Sequence, residues 1–376
     1  MTDEFLFCDD LGPEKIIEIY DPETALKAVL VVDNVALGPA IGGVRMAKDV
    51  TLEECARLAR AMTLKNAAAG LDHGGGKSAI VADSRTSAAE KEALIRAFAR
   101  AIRQIVDYVP GPDMGTNETA MAWVKNEIGR AAGLPAKLGG IPLDEIGSTG
   151  FGLAAALKVA QDFAEFRIEG GRIAIQGFGA VGQHAARYLS DMGAVVVAVS
   201  DSRGAVHNAD GVDVKALIEF KRAGNAVADL GIGDKMESDA LLDVDCDVWI
   251  PAARPDVLTA SNVHRIKAKI IAQGANIPAT EEAERMLAER GVLVLPDFIA
   301  NAGGVICAAV ELAGGTEADA MRMVEDKICA NLRSVLEVSE KENLLPRVAA
   351  TKMARKRVLD AMASRRAKSD QQLPST

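Results

Sequence analysis

The segment RIAIQGFGAVG at positions 172–182 decides the fold prediction for this chain. Its first five residues have the apolar content of a short buried strand, and the next six read Gly-x-Gly-x-x-Gly and lead into a helical pattern that stops at Gly193. A second strand-like run, 194–200, ends at Asp201, roughly 20 residues after the glycines. A strand, a glycine turn, a helix and an acid at this spacing predict a dinucleotide site, in which the helix N-terminus binds the pyrophosphate.

The predicted cofactor contacts in this turn are Gly177, Phe178, Gly179, Ala180, Val181 and Gly182. Asp201 is expected to bind the adenosine ribose and to repel a 2′-phosphate, which favours NAD. Arg203, beyond Ser202 in the same turn, could accommodate that phosphate, so NADP stays possible. Further strand-like segments, at 246–250, 269–272 and 292–295, alternate with helical stretches, as expected for an open, doubly wound parallel sheet.

Length and composition limit the classes of protein that fit. With 376 residues, 49% of them hydrophobic, two domains are expected. A net charge of −10 argues against nucleic acid or an anionic membrane as a partner. The five cysteines are scattered without metal-ligand spacing, so no metal site is predicted. The acidic N-terminus lacks the features of a signal peptide, and no apolar run reaches the roughly 18 residues of a membrane span, which predicts a cytoplasmic protein.

Upstream, positions 62–81 read MTLKNAAAGLDHGGGKSAIV and carry two lysines. A capping box at Thr51 opens a helix whose apolar spacing places Lys65 on its buried face. Lys77 follows three glycines, which would let the backbone approach a ligand, and opens a strand-like run. Buried ammonium groups need anionic partners, and Asp113 in a turn-forming segment is the candidate. Two ordinary surface lysines are the alternative.

Two glycine motifs of this region have competing interpretations. Gly42 and Gly43 leave adjacent backbone N–H groups open to a carboxylate, although a plain hairpin or bulge would have the same sequence. Gly76-Lys77-Ser78 resembles the end of a nucleoside-triphosphate loop. That motif requires a glycine where Leu71 stands and a strand before the loop, so this reading is rejected.

A Gly- and Pro-rich segment, 133–147, is predicted to link the two domains. The first, 1–146, is an α/β substrate domain, and the second, 147–339, is the Rossmann-type domain. A cleft between them is expected to hold the reactants.

The order of motifs along nearly the whole chain resembles the glutamate, leucine, phenylalanine and valine dehydrogenases. The resemblance is carried by the segments 42–46, 62–70, 74–77, 112–116, 177–182, 274–276 and 296–304. It implies reversible oxidative deamination of an L-amino acid to a 2-oxo acid and ammonium, with NAD(P) as hydride acceptor. It also implies a homo-oligomer and a terminal helix, about 340–376, that returns to the first domain.

The resemblance assigns roles to residues of both domains. Lys65 and the Gly42-Gly43 backbone would hold the substrate carboxylate, Lys77 would be the general base that activates water, and Asp113 would relay protons. The remaining implied contacts are Met114 and Asn301 at the substrate, and Thr149, Ala252, Ala253, Asn276 and Asn301 at the cofactor.

Two positions of the sequence predict which class of substrate side chain the site accepts. Glutamate enzymes resemble one another in a lysine just before this Gly-Gly and a serine after Asn-Ala-Gly-Gly, where this chain has Ile41 and Ala308. A second carboxylate would lose hydration there without a counter-charge, so an apolar, leucine-like amino acid is predicted. Glutamate is the alternative, because segments 199–204 and 296–301 look closer to the glutamate branch. Phenylalanine-like, tryptophan-like and broad substrates stay open, as does a non-enzymatic NAD-binding regulatory protein.

Overall fold

The structure, a computed structural model, describes residues 5–231 and 233–372. The chain forms two compact units. Unit 1 comprises Met1–Pro142, Ala308–Glu317 and Thr351–Thr376, and unit 2 comprises Leu143–Cys307 and Ala318–Ala350. The first transition therefore falls between Pro142 and Leu143, four residues before the predicted boundary at 146.

Unit 1 contains a mixed sheet covered by helices. Its elements are β1 (Lys15–Asp21), β2 (Leu26–Asn34), β3 (Ala40–Ala47), α1 (Leu52–Ala68), β4 (Gly74–Val81), α2 (Ala88–Ala101), β5 (Tyr108–Pro112) and α3 (Glu118–Ile128). The strand order is β1-β2-β4-β3-β5. β4 is antiparallel to β2 and parallel to β3, which is also parallel to β5. The carboxyl ends of β3 and β5 therefore lie at the same edge of the sheet.

Helix α1 packs on β4 and begins as the sequence predicts. The Thr51 hydroxyl accepts the Glu54 backbone N–H at 3.1 Å and caps the helix. The buried side of α1 differs from the prediction, because Leu58, Met62 and Lys65 are only half-buried. The buried face is instead Cys55, Ala56, Ala59, Thr63, Asn66, Ala67 and Ala68. Small residues fill this face because β4 approaches the helix closely.

Unit 2 contains the predicted Rossmann-type sheet, and its parallel run confirms the fold class. Its elements are α4 (Leu143–Ile146), α5 (Ser148–Ala160), β6 (Arg172–Gln176), α6 (Ala180–Asp191), β7 (Val195–Asp201), β8 (Gly204–His207), α7 (Val214–Arg222), β9 (Asp234–Met236), β10 (Val248–Pro251), β11 (Ile270–Ala272), α8 (Glu281–Glu289), β12 (Leu293–Leu295) and α9 (Asp297–Ala300). The strand order is β12-β11-β10-β6-β7-β8-β9. β12 to β7 are mutually parallel, and β8 and β9 are antiparallel additions at one edge.

The last three helices contribute residues to both units. They are α10 (Gly303–Leu312), α11 (Glu317–Glu342) and α12 (Pro346–Gln372). Residues 308–317 belong to unit 1, which corrects their predicted place in the cofactor domain. The reason is local: the Glu311 carboxylate accepts the backbone N–H groups of Leu134 at 3.2 Å and Ile141 at 2.9 Å.

The final helix, α12, starts in unit 2, and its residues from Thr351 onward are in unit 1. There the Arg357 guanidinium donates to the carbonyls of Ala67 and Ala68, each at 2.9 Å, at the C-terminal end of α1. Among the described residues, no helix combines the length and the apolar content needed to cross a bilayer.

Candidate active site

The predicted partners Lys77 and Asp113 are in contact in unit 1. Lys77, on β4, is 6% exposed, and its Nζ lies 2.8 Å from Asp113 Oδ2. The same oxygen accepts Arg45 Nε of β3 at 2.9 Å, and Arg45 also pairs with Glu54 of α1. A buried ammonium group is therefore compensated by a carboxylate that also binds a guanidinium group.

The Asp113 carboxylate is held ionised by these two cations. Burial by itself raises the pKa of the Asp113 carboxyl, but the Lys77 ammonium and then the Arg45 guanidinium outweigh burial, so the pKa lies below its usual value. The Asp113 backbone is fixed as well, because its N–H donates to the Thr116 hydroxyl at 3.0 Å, which in turn donates to the Val44 carbonyl at 2.8 Å. Asp113 is thus an anion held in a fixed position beside Lys77.

Gly42 and Gly43 lie on β3 beside this pair. A Cβ atom at Gly43 would stand 3.2 Å from Lys77 Nζ and 2.7 Å from Asp113 Cβ. The missing side chain of Gly43 therefore leaves the space that the ion pair occupies. At Gly42, a Cβ atom would stand only 1.7 Å from the carbonyl oxygen of Gly76. Both of these predicted residues are thus glycine because the adjacent strand and the ion pair leave no room for a Cβ.

The three glycines before Lys77 have a different role from the predicted one. A Cβ atom at Gly74 would be 1.8 Å from the Asn34 carbonyl oxygen, one at Gly75 would be 2.0 Å from the Thr63 backbone nitrogen, and one at Gly76 would be 2.9 Å from the Tyr108 ring. Each glycine thus allows protein atoms to pack closely, and the expectation that they open the backbone to a ligand is wrong.

Lys65 lies near the C-terminal end of α1, the helix that packs on β4. The two elements run in opposite directions, because Cys55 Sγ contacts the Lys77 carbonyl at 3.3 Å, while Asn66 Nδ2 donates to the Gly74 carbonyl at 2.7 Å. Lys65 therefore belongs to the same pair of packed elements as Lys77.

Ile41 and Ala308 are brought together, as the pocket prediction requires. They form one buried cluster with Val109 and Ala132, against which Leu312 packs. All five side chains are apolar. Met114, which follows Asp113, is exposed, and its carbonyl accepts the Met46 N–H at 2.9 Å.

In unit 2 the predicted glycine turn lies at the topological switch point of the sheet. Central strand β6 has β7 on one side and β10 on the other, and the chain leaves the carboxyl ends of β6 and β10 at Gly177 and Ala252. Ligands of open α/β sheets bind in this crevice. Ala252 and Ala253 line it, since a Cβ atom at Gly177 would stand 2.8 Å from Ala253 Cα.

The turn has the shape that a pyrophosphate requires. Gly177 has φ +92°, Gly182 leaves room for the Gly177 carbonyl, and a Cβ atom at Gly179 would meet nothing within 4 Å. Gly179 caps α6 without a side-chain hydrogen bond, and Gly179 and Ala180 are exposed, so the amide groups of the helix N-terminus face open space. The Phe178 side chain is buried, and only its backbone lies in the turn.

Asp201 ends β7 as predicted, but its carboxylate already has partners. The Lys221 ammonium pairs with Oδ2, the Val227 N–H donates to Oδ2 at 3.1 Å, and the Arg203 N–H donates to Oδ1 at 2.7 Å. Burial by itself raises the pKa of the Asp201 carboxyl. The hydrogen bonds from the Lys221 ammonium and from these two N–H groups together lower it by more, so the pKa lies below its ordinary value. The side chain is 6% exposed, and the Ser202 and Arg203 residues that follow are exposed.

Asn301 and Asn276 lie in neighbouring turns of unit 2, and Thr149 lies in the first turn of α5. Asn301 Nδ2 donates to Asn276 Oδ1 at 3.0 Å and to the Ala275 carbonyl at 3.1 Å. Asn301 is 4% exposed, and its Oδ1 has no hydrogen-bond partner among the described residues. Gly303 packs against the N-terminus of α5, since a Cβ atom there would stand 2.9 Å from the Thr149 nitrogen.

A buried ionic network that the sequence analysis missed holds the Asn276 segment. The Arg347 guanidinium, on α12, donates to Glu284 at 2.8 and 2.9 Å and lies 2.8 Å from Asp297 Oδ1. Asp297 Oδ2 then accepts the Ile277 N–H at 2.8 Å. Ile277 has φ +49°, a rare conformation for a β-branched residue, and this bond fixes it.

The residues that sequence reasoning missed are Arg45, Tyr108, Lys221 and Arg347. Arg45 carried a signal, since it lies in the GGVRM motif. Lys221 and Arg347 carried none, because each is one of many charged residues on an amphipathic helix. In the described part of the chain, no group of three His, Cys, Asp or Glu side chains is arranged to hold a metal ion.

Comparisons with known proteins agree with this arrangement. Residues 13–130 match the profile described as "Glu/Leu/Phe/Val dehydrogenase, dimerisation domain", and residues 139–366 match "Glutamate/Leucine/Phenylalanine/Valine dehydrogenase".

Several similar curated proteins are named as glutamate dehydrogenases. The protein from Aeropyrum pernix is 40% identical over 88% of this chain and 85% of its own length. An NADP-specific glutamate dehydrogenase from Saccharolobus shibatae is 36% identical over 88% and 83%, and an NAD-specific one from Staphylococcus aureus is 36% identical over 87% and 83%. Among solved structures, L-tryptophan dehydrogenase from Nostoc punctiforme superposes with a TM-score of 0.74 at 25% identity, covering 94% of this chain and 97% of that one.

Proposed function

Because this chain belongs to the Glutamate/Leucine/Phenylalanine/Valine dehydrogenase family and is therefore an oxidoreductase acting on CH–NH2 donors, we propose that Lys77 and Asp113 carry the acid–base steps of its reaction. The observation that supports this most directly is the 2.8 Å contact between the two side chains beside Gly43. A regulatory protein without activity is not favoured, because the family consists of dehydrogenases.

The proposed reaction oxidises an L-amino acid to its 2-oxo acid and ammonium. A nicotinamide dinucleotide, when bound, would supply the hydride acceptor. In this proposal the Lys77 ammonium first passes a proton to Asp113 Oδ2, to which it is hydrogen-bonded, and the neutral Nζ then removes a proton from the water that adds to the substrate carbon as ammonium leaves. Arg45 keeps Asp113 oriented during this exchange. The Gly42-Gly43 backbone and Lys65 hold the substrate carboxylate in this proposal, and Asn301 holds the amino group.

The proposed cofactor site uses the turn after β6. The amide groups at the N-terminus of α6 would bind the pyrophosphate, and Thr149 and Asn276 would contact the nicotinamide end. The fit is supported by the open space at Gly179 and by the exposed, uncapped start of α6.

Glutamate is the substrate that the comparisons favour, over the leucine-like amino acid predicted from the sequence. The curated relatives described above are glutamate dehydrogenases. An apolar amino acid is the second candidate, because the cluster around Ile41 and Ala308 offers no charge to a second carboxylate. The structural likeness to a tryptophan dehydrogenase also favours it.

A panel of L-amino acids assayed for NADH and NADPH formation tests the reaction and its substrate together. A higher kcat/KM for glutamate than for leucine, phenylalanine and tryptophan supports the first candidate, and the reverse order supports the second. No reduced cofactor from any amino acid would refute the proposed function.

Ile41→Lys tests whether this cluster selects the side chain. The new ammonium group supplies the counter-charge for a second carboxylate, so we expect the glutamate-to-leucine ratio of kcat/KM to rise by about tenfold or more. Stability should fall, because the cluster is buried. Ile17→Lys, outside this cluster, is the matched control, and an unchanged ratio in Ile41→Lys would remove the cluster from the substrate site.

Cofactor choice is proposed to depend on Lys221. By pairing with Asp201, Lys221 cancels the charge that would repel a 2′-phosphate, so use of both NAD and NADP is proposed. We expect Lys221→Met to lower kcat/KM for NADP relative to NAD by about tenfold. Lys215→Met, on the same helix, is the control. A ratio that stays unchanged in Lys221→Met would contradict this role.

We also propose a homo-oligomer, supported by the match of residues 13–130 to a dimerisation domain. A cytoplasmic location stays a prediction from the sequence.

A further inference from the structure

Tyr108, the first residue of β5, is fully buried and lies beneath the Gly42-Gly43 segment. Its hydroxyl is 2.8 Å from the Gly42 carbonyl oxygen and 3.0 Å from Ser78 Oγ. The hydroxyl thus connects β5 with β3 and β4. Strand β3 carries Gly43, β4 carries Lys77, and β5 leads into Asp113.

The direction of these hydrogen bonds follows from their chemistry. A carbonyl oxygen only accepts, so the single Tyr108 proton is donated to Gly42, and Ser78 must donate its own proton to the Tyr108 oxygen. Burial raises the pKa of the Tyr108 hydroxyl, so it remains a proton donor throughout the physiological range.

Fixing the Gly42 carbonyl also fixes the next N–H group. The peptide unit between Gly42 and Gly43 is planar, and in a trans peptide the carbonyl and the following N–H point in opposite directions. Glycine has no side chain to restrict rotation of this plane, and the register of β3 with β4 skips Gly42 and Gly43, which are paired only on the β5 side, with Pro110 and Gly111. The Tyr108 hydroxyl therefore adds to the β3–β5 pairing a restraint on this plane that the β3–β4 ladder does not supply.

The surroundings of Tyr108 are built to hold its ring. Gly76 leaves the space for it, since a Cβ atom there would stand 2.9 Å from the ring. The Arg130 guanidinium donates to the Tyr108 carbonyl at 2.9 Å and also to the Ile102 and Ile105 carbonyls, which ties the start of β5 to the end of α2. The ring and the backbone of Tyr108 are thus both held in place, which fixes the position of the hydroxyl.

We infer that Tyr108 is a positioning residue of the amino-acid site: its hydroxyl orients the Gly42-Gly43 peptide so that the Gly43 N–H faces the substrate carboxylate. This inference rests on the proposed function, in which that backbone binds the carboxylate. Tyr108 does not touch the substrate and acts through Gly42.

Tyr108→Phe tests the inference, because it removes the hydroxyl and keeps the ring that fills the core. We expect KM for the amino acid to rise about tenfold, as for loss of one buried hydrogen bond, while KM for the nicotinamide cofactor stays unchanged. Steady-state kinetics with each reactant varied in turn, at a temperature well below the melting temperature of the variant, gives both constants.

Tyr188→Phe is the matched control, because Tyr188 also donates its hydroxyl to a backbone carbonyl, that of Ile146 at 2.6 Å, but in unit 2. It should lower the melting temperature and leave KM for the amino acid unchanged. If Tyr108→Phe lowers only the melting temperature, or raises both KM values together, the hydroxyl has a merely structural role and the inference is overturned.

Ser78→Ala provides a second test should Tyr108→Phe not fold. It removes the hydrogen bond that the Ser78 hydroxyl donates to the Tyr108 oxygen. KM for the amino acid should rise by a smaller factor than in Tyr108→Phe, again with KM for the cofactor unchanged. An unchanged KM for the amino acid would then overturn the inference. Absence of turnover by the unsubstituted chain would instead refute the proposed function itself.

Discussion

Lys77→Ala is expected to lower kcat by about three orders of magnitude, because the substitution removes the proposed general base. Asp113 keeps its bond to Arg45 at 2.9 Å, so the turn that carries it should remain in place. Cofactor affinity should persist, since the proposed dinucleotide site lies in unit 2 and Lys77 in unit 1. Steady-state kcat at saturating amino acid, together with a fluorescence titration of NADH, separates the two effects.

The control for this substitution is Lys48→Ala. Lys48 pairs with Asp83 at 2.9 Å, as Lys77 does with Asp113, but this pair is on the surface of unit 1. Its removal should leave kcat within about a factor of two, because exposed ion pairs contribute little. Turnover of Lys77→Ala close to that of Lys48→Ala would show that another group acts as the base.

Asp113→Asn is expected to lower kcat by about two orders of magnitude and also to destabilise unit 1. The amide cannot take a proton from Lys77, and it leaves a buried ammonium group and the Arg45 guanidinium without their shared anion. Loss of one partner of a buried ion pair costs about 3 kcal/mol or more. Kinetics and urea unfolding of the same preparation measure both effects.

The pH dependence of the unfolding free energy shows whether Asp113→Asn destabilises the chain by removing a charge or by altering the packing. The pKa of Asp113 is lowered in the folded chain from its ordinary value of 3.8. Its contribution to stability is therefore complete above that value and is lost as the pH falls through the lower, folded value. The difference in unfolding free energy between the unsubstituted chain and Asp113→Asn should shrink in that acid range. A difference that stays constant into the acid range would refute the electrostatic explanation.

The features that the sequence predicted well depend on residues close together in the chain. The strand, Gly177 turn and helix of the proposed dinucleotide site follow from a glycine spacing and an apolar period, and the Thr51 cap follows from two residues three positions apart. Local sterics and helix capping act over a few residues, so the pattern was sufficient for them.

The role of the three glycines at 74–76 could not be derived in this way. Gly75 is required by the Thr63 backbone of α1, and Gly76 by the ring of Tyr108. Glycine in a sequence signals that something approaches closely, but not whether this is a ligand or another part of the chain.

By itself, the sequence determined the order of the elements, the glycine turn after β6 and the candidate residues Lys77 and Asp113. The tertiary structure alone decided which charges and side chains meet: Arg45 with Asp113, Lys221 with Asp201, and Ala308 with Ile41 in unit 1. The physical reason is that a buried polar or apolar group must be matched by its surroundings, and that condition links residues far apart in the chain. The local periodicity that specifies a helix or a strand does not depend on which distant residue finally contacts that element.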